Sequence, residues 1–221
     1  MPQATDTQDL TLDEVRARLA PLVAQEAAFD GWNDAAVEAA AANAGIDPAV
    51  ARLAFPGGAM DMIAAWIGSV DRAMHEALPA ERLATMKVRE RIRALVQFRL
   101  DHSLGMEEAL RRALAIQAMP QNIAQSLRLG WSSADAMWRL AGDRATDYNH
   151  YTKRAILAGI YAATLAVFVD DSSQGKTEAG AFLDRRIDGV MRFEKAKARL
   201  QPGDEVFSLS RFLGRLRYPA R

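Results

Sequence analysis

Apolar residues recur at three- and four-residue intervals along most of this chain, and no stretch alternates in the manner of a strand. That periodicity predicts an all-α fold. A first helix is expected over 12–28, with Val15, Leu19, Leu22 and Val23 on one side. Two short helices, 34–43 and 48–55, flank a turn at Gly45 and stop at Pro56. A fourth helix starts near Gly58, carries Met60, Ile63, Ala64 and Ile67 on one face, and ends before Pro79. The fifth, over 81–103, buries Ile92, Leu95, Val96 and Phe98 and carries Arg82, Lys87, Arg89, Arg91, Arg93 and Arg99. A sixth covers 106–118. Pro120 opens a seventh, tolerated in a first turn, which Gly130 is expected to interrupt before a second part at 132–141. Residues 146–169 form an eighth helix, DDSSQGK a turn, and 177–200 a ninth. Pro202-Gly203 separates a last helix at 204–217.

This pattern divides the chain into a polar, disordered tail (1–10), a helix-turn-helix part (11–57), a helical ligand-binding and dimerisation part (58–201) and a C-terminal appendage (202–221). A helix-turn-helix normally sets its second helix in the DNA major groove. Here the charge has the wrong sign. Residues 11–63 hold three cations (Arg16, Arg18, Arg52) against eight acids (Asp13, Glu14, Glu26, Asp30, Asp34, Glu38, Asp47, Asp61), a balance of 3 − 8 = −5. Phosphate neutralisation supplies most non-specific DNA affinity, so this motif is vestigial and no nucleic-acid partner is expected.

Composition narrows the chemistry. The 221 residues carry 28 cations and 28 acids, and half are apolar, enough for a sizeable core. With no cysteine, disulfides, thiolate metal sites and cysteine nucleophiles are excluded. The first ten residues lack the apolar run of a secretory signal. No phosphate loop, dinucleotide fingerprint or nucleophile elbow occurs. Asp147 and His150 have the D-x-x-H spacing of one helical face, but a di-iron bundle needs two such motifs and two more carboxylates. Capping and ion pairing by Asp143 and Thr146 is the plainer use of that region. No catalysis and no cofactor are expected.

Three segments suggest binding. AILAGIYAATLAVFV, 155–169, is apolar on every face, so it belongs in a core; fifteen residues fall short of the ~20 that span a bilayer. Its small residues (Ala158, Gly159, Ala162, Ala163) leave room for an apolar ligand against Ile156, Ile160, Tyr161, Leu165 and Phe168. Trp131 and Trp138, seven apart, share a face with Leu127 and Asp135 nearby, the residue types of a protein-binding surface. In the last helix Val206, Leu209, Phe212, Leu213 and Leu216 gather on one side and Arg211 and Arg215 project opposite. That is the pattern of a helix lying in a membrane interface; docking on the protein's own body would use the same face.

The stretch MPQNIAQSLRLGWSSADAMWRLAGDRATDYNHYTKRAILAGIYAATLAVFVDDSS, with FLDRRIDGVMRF, resembles the Coq nine family of ubiquinone-biosynthesis accessory proteins. The resemblance runs from about Leu12 to Glu194 and is most specific over 119–173. It implies a TetR-like fold without DNA binding, and a non-catalytic protein that holds an isoprenoid quinone intermediate or a phospholipid. It also implies presentation of that lipid to a membrane-associated ubiquinone-pathway hydroxylase. The positions matching the family's hydroxylase contact are Asp135 and Trp138, with Leu127, Trp131 and Arg139 beside them. A homodimer through the eighth and ninth helices would follow from the TetR-like arrangement. Without a mitochondrial presequence, a bacterial cytoplasmic protein peripherally attached to the inner membrane is expected. The rival readings are a dimeric TetR-type transcriptional regulator with a small apolar ligand, a helical-bundle enzyme using Asp147 and His150, and a purely structural homodimer.

Overall fold

The computed structural model describes residues 10–144 and 148–200, all helical apart from short turns and connections. The chain divides into two compact units, the first ending at Asp184 and the second starting at Arg185. The first contains α1 (Leu12–Asp30), α2 (Asp34–Ala44), α3 (Pro48–Leu53), α4 (Gly58–Ala77), α5 (Ala80–Ala84), α6 (Val88–Asp101), α7 (Glu107–Gln117), α8 (Ile123–Leu140) and α9 (Tyr148–Asp170). The boundary falls within α10 (Thr177–Leu200). The expected amphipathic helix, with Val206, Leu209, Arg211, Phe212, Leu213, Arg215 and Leu216, lies outside the described residues, as do Thr146 and Asp147.

Local chemistry sets the N-terminal helices. Thr11 and Glu14 form a capping box: the Thr11 amide donates to Glu14 Oε2 at 2.8 Å, and the Glu14 amide returns to Thr11 Oγ1 at 3.3 Å. Asn33 caps α2. Gly45 closes it at φ 67°, a left-handed conformation that favours glycine. Asp47 accepts from the Ala49 amide at 2.7 Å and Pro48 occupies the first turn of α3. Alanines at 36, 40 and 41 are fully buried, which lets α2 lie close against the Leu19, Val23 and Ala27 face of α1. The Trp32 indole donates to the Ala109 carbonyl at 2.9 Å, fastening the helix-turn-helix to α7. α4 is the spine beyond it, packing on α1, α6, α7 and α8.

Several expectations needed correction. The helix read as 81–103 is two helices, α5 and α6, although neither Gly nor Pro separates them. Glu90 accepts from the Lys87 amide at 3.0 Å to start α6. The Arg91 guanidinium takes up the Ala84 and Met86 carbonyls at 3.1 and 2.9 Å, and the Ala141 carbonyl at the end of α8 at 2.7 Å. One side chain thus satisfies two helix ends. α8 runs unbroken through Gly130, and Pro120 opens a separate 3-10 turn (Pro120–Asn122). Phe98 is only half-buried; Arg99 takes the buried place in the α6 stripe.

α9 is not the enclosed core helix that its composition suggested. Leu157, Thr164, Leu165 and Phe168 are buried, whereas Ala155, Gly159, Ala162 and Ala166 are exposed. Residues 149–170 are long and apolar enough to cross a membrane by length and composition. Arg154, however, is sunk in an ion-pair network with α8, so α9 is built into the protein fold.

Candidate lipid-binding cavity

Helices α4, α6, α7, α8 and α9 enclose a cavity of about 660 Å³. From α4 come Ile63, Trp66, Ile67 and Val70, from α7 Leu110 and Leu114, and from α8 Ile123, Leu127, Leu129 and Trp131. α9 contributes Ala155, Ala158, Gly159, Tyr161, Ala162 and Leu165. The wall is predominantly apolar, and its volume falls in the ~300–1,000 Å³ range of ligand sites. Burial is graded across it. Ile63 and Trp66 are buried, whereas Ile123 and Leu127 are exposed, Leu127 at 70 %. Ala155, Gly159 and Ala162 are also exposed. The floor therefore rests on α4 and α6, and the mouth lies between the start of α8 and the small-residue face of α9.

Small residues make the space. A Cβ built at Gly130 or Gly159 would meet no atom within 4 Å. Of the expected ligand contacts, Tyr161 and Leu165 stand in the wall; Ile156, Ile160 and Phe168 are not among its lining residues. Phe168 is buried elsewhere, under the Lys176 ammonium at 5.1 Å from its ring centroid. Leu127 and Trp131, expected at the partner-binding face, also line the cavity, Leu127 at its exposed mouth. The contribution of α4 was missed, although Ile63, Trp66, Ile67 and Val70 have helical spacing.

One polar group stands at the floor. Arg99 is 1 % exposed. Its Nη1 pairs with Asp71 of α4, its Nη2 donates to Ser133 Oγ of α8 at 3.1 Å, and its guanidinium lies 5.0 Å from the Tyr161 ring centroid of α9. Burial opposes its charge, but Tyr161 and Asp71 outweigh burial, and its pKa stands above the ordinary arginine value.

A second polar cluster joins the end of α8 to the start of α9. Arg154 is buried, donating from Nε to Asp135 Oδ1 at 2.5 Å and from Nη1 to Asp143 Oδ2 at 3.1 Å. Lys153 reaches Asp143 at 2.7 Å, and exposed Arg139 reaches Asp135 at 2.7 Å. Burial pushes the Asp143 carboxyl up, yet Lys153 and Arg154 prevail and hold it below the usual aspartate value. The Trp138 indole donates to the Lys153 carbonyl at 3.0 Å, under the Lys153 ammonium. Asp143 thus serves as an ion-pair partner. Trp131, His150 and Tyr151 form an aromatic cluster beside it, with ring centroids 5.1–6.3 Å apart. Among the described residues no three His, Asp or Glu side chains converge to hold a metal.

In the helix-turn-helix, Arg52 is paired with Glu38 at 2.8 Å and Arg16 with Asp61 at 2.5 Å. The Arg16 hydrogen bond lowers the Asp61 pKa.

Residues 123–194 match the COQ9 family model. The chain is 34% identical over 168 residues to the mitochondrial ubiquinone biosynthesis protein COQ9 of Rattus norvegicus, covering 73% of this chain and 54% of that protein. It is 32% identical to the Homo sapiens COQ9 protein over the same length, covering 73% and 52%. With Drosophila melanogaster COQ9 it shares 25% identity across 93% of this chain and 64% of the relative. The chain spans about half the length of the mammalian relatives it matches. Among solved structures it is similar to a TetR transcriptional regulator of Nitrosomonas europaea, with TM-score 0.62 and 19% identity, covering 78% of this chain and 95% of that one. That likeness establishes a TetR-like all-α fold.

Proposed function

We propose, from the match of residues 123–194 to the COQ9 family model and the similarity to the COQ9 proteins, that the chain is a lipid-binding accessory protein of ubiquinone biosynthesis. It holds an isoprenoid quinone intermediate and delivers it to a membrane-associated hydroxylase without catalysing a reaction itself. The observation that carries this reading is the 660 Å³ apolar cavity opening between α8 and α9. An isoprenoid chain moves between bilayer and such a cavity at little net cost, because both are apolar. The benefit is one of position: the lipid is brought to where a partner enzyme can meet it. Around the mouth, exposed Leu127 and the nearby Trp138–Asp135–Arg139 surface offer a docking face. Membrane attachment falls to residues 206–216. Two copies associate through α9 and α10, the helices that a TetR-like arrangement would pair.

Native mass spectrometry with lipid identification tests the reading. Protein made in a ubiquinone-producing host should carry isoprenoid lipid. Recovery with no isoprenoid in any preparation would overturn it.

A further inference from the structure

The four tryptophans are held in different ways. The Trp32 indole donates to the Ala109 carbonyl at 2.9 Å and the Trp138 indole to the Lys153 carbonyl at 3.0 Å. Trp66 is buried. Trp131 is half-buried in the cavity wall and has ring contacts but no hydrogen bond among the described residues. Its ring centroid lies 6.3 Å from that of His150 and 5.9 Å from that of Tyr151. Tyr151 begins a stripe of α9 that continues through Ala155, Gly159 and Ala162, at helical spacing. The last three line the cavity, whereas His150 and Tyr151 are not among its lining residues. A Cβ at Gly159, or at Gly130 beside the indole, would meet no atom within 4 Å. Four residues of helix rise about 6 Å, roughly the length of an indole. A ring that rests on Tyr151 therefore has a second seat one turn further along, over Ala155 and Gly159, inside the mouth. Aromatic contact favours the outer seat; removal of the indole and the small-residue wall from water favours the inner one. Staggered side-chain rotamers are separate wells, so the ring takes one seat or the other.

We propose that Trp131 is a gate on the cavity, open when its ring lies on His150 and Tyr151 and shut when it lies over Ala155 and Gly159. The gate and a guest compete for the inner seat. Association therefore runs only through the open fraction, and a bound guest holds the gate out. His150 and Tyr151 set that fraction from outside the cavity. Tyr151 is 61 % exposed, so a residue that touches neither guest nor wall governs entry. This inference rests on the reading of the cavity as an apolar ligand site and adds how that site is entered; it holds for any apolar guest, whatever its head group.

The test follows binding of the uncharged apolar fluorophore N-phenyl-1-naphthylamine to the full chain by stopped-flow fluorescence. Tyr151→Ala removes part of the outer seat and leaves the wall intact. Association should slow about two- to fivefold, as loss of one aromatic contact allows, with dissociation unchanged. Tyr151→Phe keeps the ring and should keep the rate. Trp131→Ala removes the gate, so adding Tyr151→Ala to it should have no further effect on association; this cycle isolates the pair. An unchanged association rate in Tyr151→Ala overturns the gate and leaves the cavity reading standing. Slowing by Tyr151→Ala that persists in the Trp131→Ala background overturns the assignment to Trp131. If the fluorophore does not bind the unaltered protein, the cavity reading fails and this inference with it.

Discussion

Arg154 of α9 donates from Nε to the Asp135 carboxylate of α8 at 2.5 Å, and its side chain is only 2 % exposed. That bond joins the two helices that flank the cavity mouth. Removing Arg154 takes away the buried cation that Asp135 and Asp143 share and leaves them only Arg139 and Lys153. Arg154→Ala should therefore lower stability by about 3 kcal/mol. Arg139 touches the same carboxylate from the surface at 72 % exposure, so Arg139→Ala should change stability by less than about 1 kcal/mol. Urea unfolding of both variants checks the contrast; equal losses would contradict it.

The same pair bears on partner docking. A change at Asp135 disturbs Arg154 as well as the surface, so lost hydroxylase binding in an Asp135 variant would not isolate docking. Leu127 is exposed and its side chain is purely apolar. On the proposed docking reading, Leu127→Glu should leave the urea midpoint nearly unchanged and weaken association with the proposed hydroxylase partner at least tenfold, measured by co-sedimentation on vesicles. Full retention would argue that the docking face lies elsewhere.

Gly130 separates helix stability from ligand space. It lies within α8, and an added Cβ meets nothing within 4 Å. Gly130→Ala should stabilise the protein by about 0.5–1 kcal/mol, the usual helix-interior gain. Gly130→Phe should fill the cavity and reduce co-purified isoprenoid severalfold while the protein remains folded. Unchanged lipid content in the Phe variant would show that the guest does not pass α8 there.

The sequence made some of this visible and hid the rest for physical reasons. Capping residues, glycine turns and apolar spacing located most helices, because these signals are local. Gly130 misled, since glycine lowers helix propensity by only ~1 kcal/mol and tertiary packing overrides it. The break between α5 and α6 has no local marker; it depends on Arg91 reaching carbonyls of two helix ends. Arg99 stands in the sequence as one of several basic residues of the 81–103 segment, yet residues 92, 95, 96 and 99 have the spacing of one helical face. That spacing was the available signal that the guanidinium is buried with Ile92, Leu95 and Val96. The cavity itself was legible only on its α9 side, because a wall formed by five helices is a tertiary fact.

Acid should weaken the fold through Asp143 and Asp61. Both have folded pKa values below their ordinary ones, Asp143 because Lys153 and Arg154 overcome burial and Asp61 because of Arg16. A depressed carboxylate contributes stability that is complete above its unfolded pKa, roughly 3.9, and is lost as pH falls through its folded value. These groups should therefore leave urea midpoints flat above about pH 5 and lower them below about pH 4. Asp143→Asn should be less stable at pH 7 and show a shallower acid decline. An identical acid slope in both proteins would remove Asp143 from the account.

Duplex DNA should not bind. α3, which would read the groove, contains one cation, Arg52, already paired with Glu38 at 2.8 Å. Its N-terminus would ordinarily attract a phosphate, but the Asp47 carboxylate caps it, accepting from the Ala49 amide at 2.7 Å. A fixed negative charge thus stands where the DNA backbone would have to come. Fluorescence anisotropy at about 50 mM salt, where phosphate contacts are strongest, should show no binding by the unaltered protein. Asp47→Ser with Glu38→Gln keeps a capping oxygen and frees Arg52. If charge is the barrier, that variant should gain weak, sequence-independent affinity that disappears by about 200 mM salt, with a slope near −0.9 per phosphate contacted. Tight binding by the unaltered chain would refute the electrostatic argument outright.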